Sequence, residues 1–211
     1  MKPTLLASSG SQHSRRVTVL IHELGLDIEI QSVDVRPPGM GGHNGSPEFL
    51  AINPNGKVPV LREGDFVLWE SNAIMWYLAE RHGDTPLWPR DPQRKASIAK
   101  WQVWQAAHLS PAADGLMFEA FVRPMMKQQT DPAVLESLTR SFHRWCKILD
   151  DALATCEYLA NDAFTCADIA AASALMYAPM AKMPIEPYAN LGAWLARIHA
   201  RPSWQATEPR R

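Results

Sequence analysis

Three short stretches hold the side chains best placed to do chemistry. The first is "SSGSQHSRRV", residues 8–17, where Ser8, Ser9, Ser11 and Ser14 crowd around His13 and Arg15 ahead of a helical pattern. A helix N-terminus offers unpaired N–H groups and a partial positive charge, so a hydroxyl there suits an ionised sulfur. One hydrogen bond to a charge contributes roughly 1.5–3 kcal/mol, which corresponds to a thiol pKa lowered by about one to two units. The same residues serve equally well as a Ser-rich turn with Ser14 as an ordinary N-cap.

The second stretch, "NPNGKVPVLREGDFVLWES", residues 53–71, puts Pro59 inside an apparent strand. Proline cannot donate to a sheet ladder. If the Val58-Pro59 bond is cis, the N–H and C=O of Val58 face outward and can pair with an extended, peptide-like ligand. A trans proline capping an edge strand is the alternative. The third stretch, "WESNAI", residues 69–74, sets Glu70 and Ser71 at a helix start. Unpaired N–H groups and a hydroxyl suit a carboxylate there, and the Glu70 carboxylate suits an ammonium, so the pair matches the α-amino-acid end of a zwitterion. Ser71 as a plain N-cap accounts for the same pattern.

These stretches need elements to position them. Thr4–Ala7 reads as a strand, Ser14–Leu24 as a helix with Val17, Leu20, Ile21 and Leu24 on one face and Gly25 past its end, and Ile28–Val35 as a second strand. A loop, "RPPGMGGHNGS", leads to a short helix over Pro47–Ile52 capped by Ser46. Val58–Arg62 and Phe66–Leu68 flank "EGD" as a hairpin, and Ser71–Arg81 closes the half as a helix. The order is βαβ-α-ββα. A Pro-rich stretch at 84–92 reads as a linker between a domain at 1–83 and one at 93–211, whose pattern is helical throughout. Thr165 and Asp168 form a capping box with Phe164 and Ile169 as its staple, and the Ala-rich helix that follows reads as the buried centre of an all-α domain.

Composition excludes several classes. The 211 residues carry 21 Lys and Arg against 22 Asp and Glu, a net charge of −1, with no basic run to bind nucleic acid or a membrane surface. The N-terminal apolar stretch is too short for a secretory signal and no run reaches membrane-spanning length, so a cytoplasmic protein is expected. Cys146, Cys156 and Cys166 lack metal-ligand spacing; they read as buried structural thiols, and no metal is expected.

Taken in order, "NPNGKVPVL", "ESNAI", "FTCADIA" and "YANLGAWLARIHARPSW" resemble four motifs of the cytosolic glutathione transferases over essentially the full chain. The resemblance implies an α+β fold: a thioredoxin-like domain that binds glutathione, followed by an all-α helical bundle that covers the acceptor between the domains. It implies that Val58 pairs its backbone with the cysteinyl part of glutathione beside cis-Pro59. Glu70 and Ser71 would hold the γ-glutamyl end, and Lys57 and His43 the glycyl carboxylate.

"SQHSRRV" resembles the serine-type theta, delta and zeta classes, which points to Ser11 as the catalytic hydroxyl, with Ser9 and His13 as rivals for the sulfur. The chain departs from theta and delta at His13, where they have Pro, and at Ser14, where they have Cys. It departs from zeta at His13, where that class has Cys. Trp104, His108, Met117 and Phe118 are the candidates for the acceptor pocket. The implied function is detoxifying attack of the glutathione thiolate on a small-molecule electrophile by a homodimer. Glutathione-dependent reductase, isomerase, dehalogenase or lyase chemistry, and a non-catalytic binding protein of the same fold, are the alternatives.

Overall fold

The computed structural model describes residues 2–36, 42–160 and 163–209. They form two compact units, Met1–Thr85 with Pro202–Arg211, and Pro86–Arg201. The first unit runs β1 (Thr4–Ala7), α1 (Gln12–Leu24), β2 (Glu29–Ser32), a 3-10 turn at His43–Gly45, α2 (Pro47–Ile52), β3 (Val60–Glu63), β4 (Phe66–Trp69) and α3 (Ser71–His82). This is the expected βαβ-α-ββα order in a thioredoxin-like arrangement. Residues 37–41 of the loop "RPPGMGGHNGS" lie outside the described residues.

The sheet order is β2-β1-β3-β4, with β1 and β2 parallel and the other pairs antiparallel. Side chains alternate across the sheet. Leu6, paired with Val60, packs in a cluster with Val33, Phe49 and Val58 beneath α2. Leu5 and Leu61 are fully buried in the alternate register, and α1 packs on α3 through a face that buries Val17, Leu20 and Ile21. Gly25 ends α1 at φ +59°, the left-handed position that a side chain resists. The Tyr77 hydroxyl donates to Glu63 at 2.8 Å and Arg81 pairs with the same carboxylate, which ties α3 to the β3–β4 hairpin.

The second unit contains α4 (Pro92–Trp104), α5 (Ser110–Met117), α6 (Arg123–Met125), α7 (Pro132–Leu153), α8 (Cys166–Ala174) and α9 (Ala189–His199). Every residue of α8 is buried, and its alanines admit α4, α5 and α9 at close range. The capping box at Thr165 and Asp168 forms as its spacing predicts, and Phe164 and Ile169 are both buried.

Two features depart from the sequence reading. Wide π-helical turns at Gln105–Leu109 and Phe118–Val122 interrupt the run from α4 to α6. Each lies just before a proline, Pro111 or Pro124, which has no N–H to give the ladder. The second departure is the C-terminus, which the sequence reading gave to the helical domain. Residues 202–209 pack with the first unit, where α10 (Pro202–Ala206) lies on α1. The cause is Trp204, 2% exposed, whose ring carries the Arg15 guanidinium at 4.1 Å while its carbonyl accepts from Arg15 Nη2 at 3.0 Å.

Candidate active site

The strand registers bring the three candidate stretches to one end of the sheet. Leu6 pairs with Val60 in antiparallel sense, so the chain leaving β1 toward Ser8–Ser11 and the chain entering β3 from Val58-Pro59 share that end. Val60 pairs with Trp69, so the end of β4, with Glu70 and Ser71, arrives there too. The parallel pairing of β1 with β2 sends the chain leaving β2 at Val33 the same way.

At this end the first helix is capped by Ser11, not by Ser14. Ser11 Oγ accepts from the Ser14 N–H at 3.2 Å. Ser14 Oγ accepts from the Ser8 N–H at 3.2 Å, and the Ser11 N–H donates to the Ser8 carbonyl at 3.0 Å, closing a ring of three serines. The Ser11 hydroxyl is half-buried, and its proton goes to no other described residue. A hydroxyl that accepts from a helix N–H is polarised toward donating its own proton. His13 is the second residue of the same helix, its imidazole held down to about 3 by burial and by the charges of Arg16 and Lys57. It is a neutral ring at physiological pH. Lys57, in the 53–59 loop, is close enough for its charge to act on this ring.

That loop is built around two asparagines that the sequence reading passed over. Asn53, 2% exposed, donates from Nδ2 to the Lys57 carbonyl at 2.7 Å, and Gly56 at φ +61° turns the chain between them. Asn44 Nδ2 donates to the Gly56 carbonyl at 3.0 Å, which places the His43 turn against the residue before Lys57. Their only sequence signals are a position beside His43 and an Asn-Pro turn. Val58-Pro59 is cis, and β3 begins only at Val60, so Val58 lies outside the ladder. The Lys57 and His43 side chains are exposed.

Glu70 caps α3 with its backbone carbonyl, which accepts from the Ile74 N–H at 2.9 Å, while its exposed carboxylate caps nothing. Its φ of +73° is a conformation side chains resist. Ser71 is therefore the first residue of the helix and not its cap, and its buried side chain engages no other described residue. Strain held at a helix start beside two unengaged polar side chains is the arrangement expected where a ligand binds.

The remaining residues separate into groups. Ser9 is exposed and, with Ser8, Ser14, Arg15, Thr18 and Thr207, lines a cleft of ≈ 480 Å³ whose walls do not include Ser11. In the helical unit Trp104 and His108 come together in an aromatic cluster: Trp104 meets Trp101 at 5.3 Å and Trp145 at 6.1 Å, and exposed His108 lies over Trp145 at 4.7 Å. Met117 and Phe118 stand apart from them, about 14 Å beyond His108 and about 20 Å beyond Trp104 along the helical run, with Phe118 exposed beneath the Arg123 guanidinium at 5.2 Å. Trp145 is thus the partner missing from the sequence list; its signal was a tryptophan on the apolar stripe of α7.

Among the cysteines, burial pushes Cys146 up to about 12 and raises Cys166 as well, so both are inert thiols. Cys156 is exposed, which corrects the expectation that all three are buried. Among the described residues no group of His, Cys, Asp or Glu is placed to hold a metal ion, and no helix is long and apolar enough to cross a membrane.

Comparison with known proteins gives this geometry a family. Residues 10–81 match the model for the glutathione S-transferase N-terminal domain, and residues 113–202 that for the C-terminal domain. Glutathione S-transferase 3 of Zea mays is 38% identical over 91% of this chain and 86% of its own, and glutathione S-transferase GstB of Escherichia coli (strain K12) is 33% identical over 95% and 94%. The crystal structure of the theta class glutathione S-transferase from Xanthomonas axonopodis pv. citri, with glutathione bound, superposes with a TM-score of 0.85 at 30% identity, covering 99% of this chain and 98% of that one. Both halves of the sequence and its fold therefore place the chain in the glutathione S-transferase family of enzymes.

Proposed function

We propose that the protein binds glutathione at the shared end of the sheet and uses Ser11 to hold it as a thiolate that attacks an electrophilic carbon. The observation that carries this reading is the pair of registers, Leu6 with Val60 and Val60 with Trp69, which gather Ser11, Val58 and Glu70 at that end. Glu70 and Ser71 take the γ-glutamyl group, ammonium to carboxylate and carboxylate to the start of α3. The Val58 backbone pairs with the cysteinyl residue, and Lys57 and His43 meet the glycyl carboxylate. His13 stays neutral and serves as a hydrogen-bonding wall.

Ser11 donates a hydrogen bond to the sulfur and keeps its proton, and the N-terminus of α1, with Arg16 and Lys57 whose charges act on neighbouring His13, favours the ionised form. The thiol proton is released to solvent as the thiolate forms; the sulfur then forms a bond to carbon as the bond to the leaving group breaks, and the leaving group departs with its electron pair. Trp104, His108, Met117 and Phe118 supply apolar surface for the acceptor. The enzyme acts as a homodimer in this reading, supported by edge strand β4, which exposes Phe66, Val67 and Trp69.

The test is Ser11→Ala. Loss of one donor to a developing or resident anion lowers turnover by roughly 10²-fold, with the dissociation constant of glutathione changed far less, since the contacts proposed for its γ-glutamyl, cysteinyl backbone and glycyl groups all remain. Wild-type turnover in Ser11→Ala would move the role to Ser9 or His13.

A further inference from the structure

The side-chain amide of Asn53 is engaged entirely within its own loop. Its Oδ1 accepts from the backbone N–H of Asn55 at 3.1 Å and from Asn55 Nδ2 at 2.9 Å, and its Nδ2 donates to the Lys57 carbonyl at 2.7 Å. This orientation is fixed by chemistry. A backbone N–H can only donate, so the atom facing Asn55 N is the oxygen, and the nitrogen faces Lys57.

The carbonyl of Lys57 shares a peptide plane with the N–H of Val58. The cis bond lies one step later, at Val58-Pro59, so the Lys57–Val58 peptide is trans and its C=O and N–H point to opposite sides. Anchoring the carbonyl on buried Asn53 turns the Val58 N–H to the side away from Asn53, at a residue that neither β1 nor β4 pairs with. Asn44 holds the neighbouring Gly56 carbonyl from the other side of the loop, and its Oδ1 and Nδ2 also meet the N–H and C=O of Arg36. The loop is thus clamped at two consecutive carbonyls.

We propose that Asn53 is a positioning residue for glutathione: by fixing the Lys57 carbonyl it presents the Val58 N–H to the carbonyl of the cysteinyl residue. The inference rests on the glutathione reading given above. It carries a kinetic signature that a merely structural role lacks. The contact it controls lies on the peptide and not on the sulfur, so it stabilises bound substrate and transition state equally, and its loss raises KM for glutathione while kcat holds.

The experiment uses the full-length protein with Asn53→Ala and Asn53→Asp. KM for glutathione rises about tenfold in both, the worth of one well-made hydrogen bond, with kcat and the KM of the electrophile within about twofold of wild type. Asn53→Asp keeps the acceptor for Asn55 but sets an oxygen against the Lys57 carbonyl, so it fares no better than Asn53→Ala. A wild-type glutathione KM in either variant, or a fall in kcat equal to the rise in KM, overturns the proposal.

Because Asn53 is buried, amide hydrogen exchange on the wild type provides a second measurement independent of the variants. Saturating S-methylglutathione slows exchange at the Val58 N–H at least about tenfold, as expected of an amide that gains a partner. Unchanged exchange there overturns the proposal. A wild type that binds no glutathione removes the underlying reading and this inference together. Ser11-dependent thiolate formation with an unaltered Asn53→Ala KM removes this inference alone.

Discussion

Thr165 and Ser11 both cap a helix with a hydroxyl, yet the two hydroxyls are left in different states. Thr165 is fully buried at the head of α8; its Oγ1 accepts from the Ala167 N–H at 3.2 Å and donates to Asp168 Oδ2 at 3.0 Å. Asp168 accepts in addition from the N–H groups of Thr165 and Leu159 and from Trp194 Nε1, each at 2.9 Å. Burial pushes its carboxyl up, against the pull of those donors. Ser11 at the head of α1 accepts one bond and keeps its proton. A cap whose donor and acceptor are both engaged is part of the core; one that is half-buried with a proton to give is available to a ligand. The contrast extends to the sulfur chemistry, since the helical unit's own buried thiols are held protonated.

The largest effect should come from the fully engaged cap. Asp168→Ala leaves the two backbone N–H groups, the Thr165 hydroxyl and the Trp194 indole N–H without an acceptor, and urea unfolding should show a loss of about 3–5 kcal/mol. Ser11→Ala, by comparison, removes an N-cap worth about 1 kcal/mol. Equal losses would erase the distinction between the two caps.

Glu70 gives the next effect. Glu70→Gly and Glu70→Ala both remove the carboxylate and should weaken glutathione binding by about tenfold or more, as expected for a lost charge-assisted bond. Only glycine also relieves the +73° φ, so Glu70→Gly should be about 1 kcal/mol more stable than Glu70→Ala. If the two variants unfold alike, the helix start is not strained for function.

The smallest effect is on pH dependence. His13 has a folded pKa of about 3 against 6.5 for the free side chain, so between those values the unfolded chain binds more protons and stability rises with pH. Its contribution is complete above about 6.5 and is lost as pH falls toward 3. Unfolding midpoints at pH 7 and pH 5 should therefore differ less in His13→Asn than in wild type. A wild type showing a His13 imidazole that titrates near its ordinary value by NMR would contradict the burial of the ring.

What the sequence made readable was local. The helix at Pro47–Ile52 with its Ser46 cap, the strand at Thr4–Ala7 and the Thr165–Asp168 box all rest on residues three or four apart, and each forms as expected. The choice between Ser11 and Ser14 as cap could not be made that way, since both are serines ahead of the same helix. It is settled by Ser8, whose N–H takes Ser14 Oγ and whose carbonyl takes the Ser11 N–H. The return of the C-terminus to the first unit depends on Arg15 meeting Trp204, 189 positions away. Asn53 was unreadable for a related reason, because its meaning lies in the orientation of a peptide plane four residues on.

The most direct test of the central claim is the ultraviolet absorbance of bound glutathione thiolate against pH in wild type and Ser11→Ala. The free Ser11 proton predicts a wild-type transition about one to two units below that of free glutathione, with the shift lost in the variant. An unshifted wild-type transition, or a shift that survives Ser11→Ala, would contradict it.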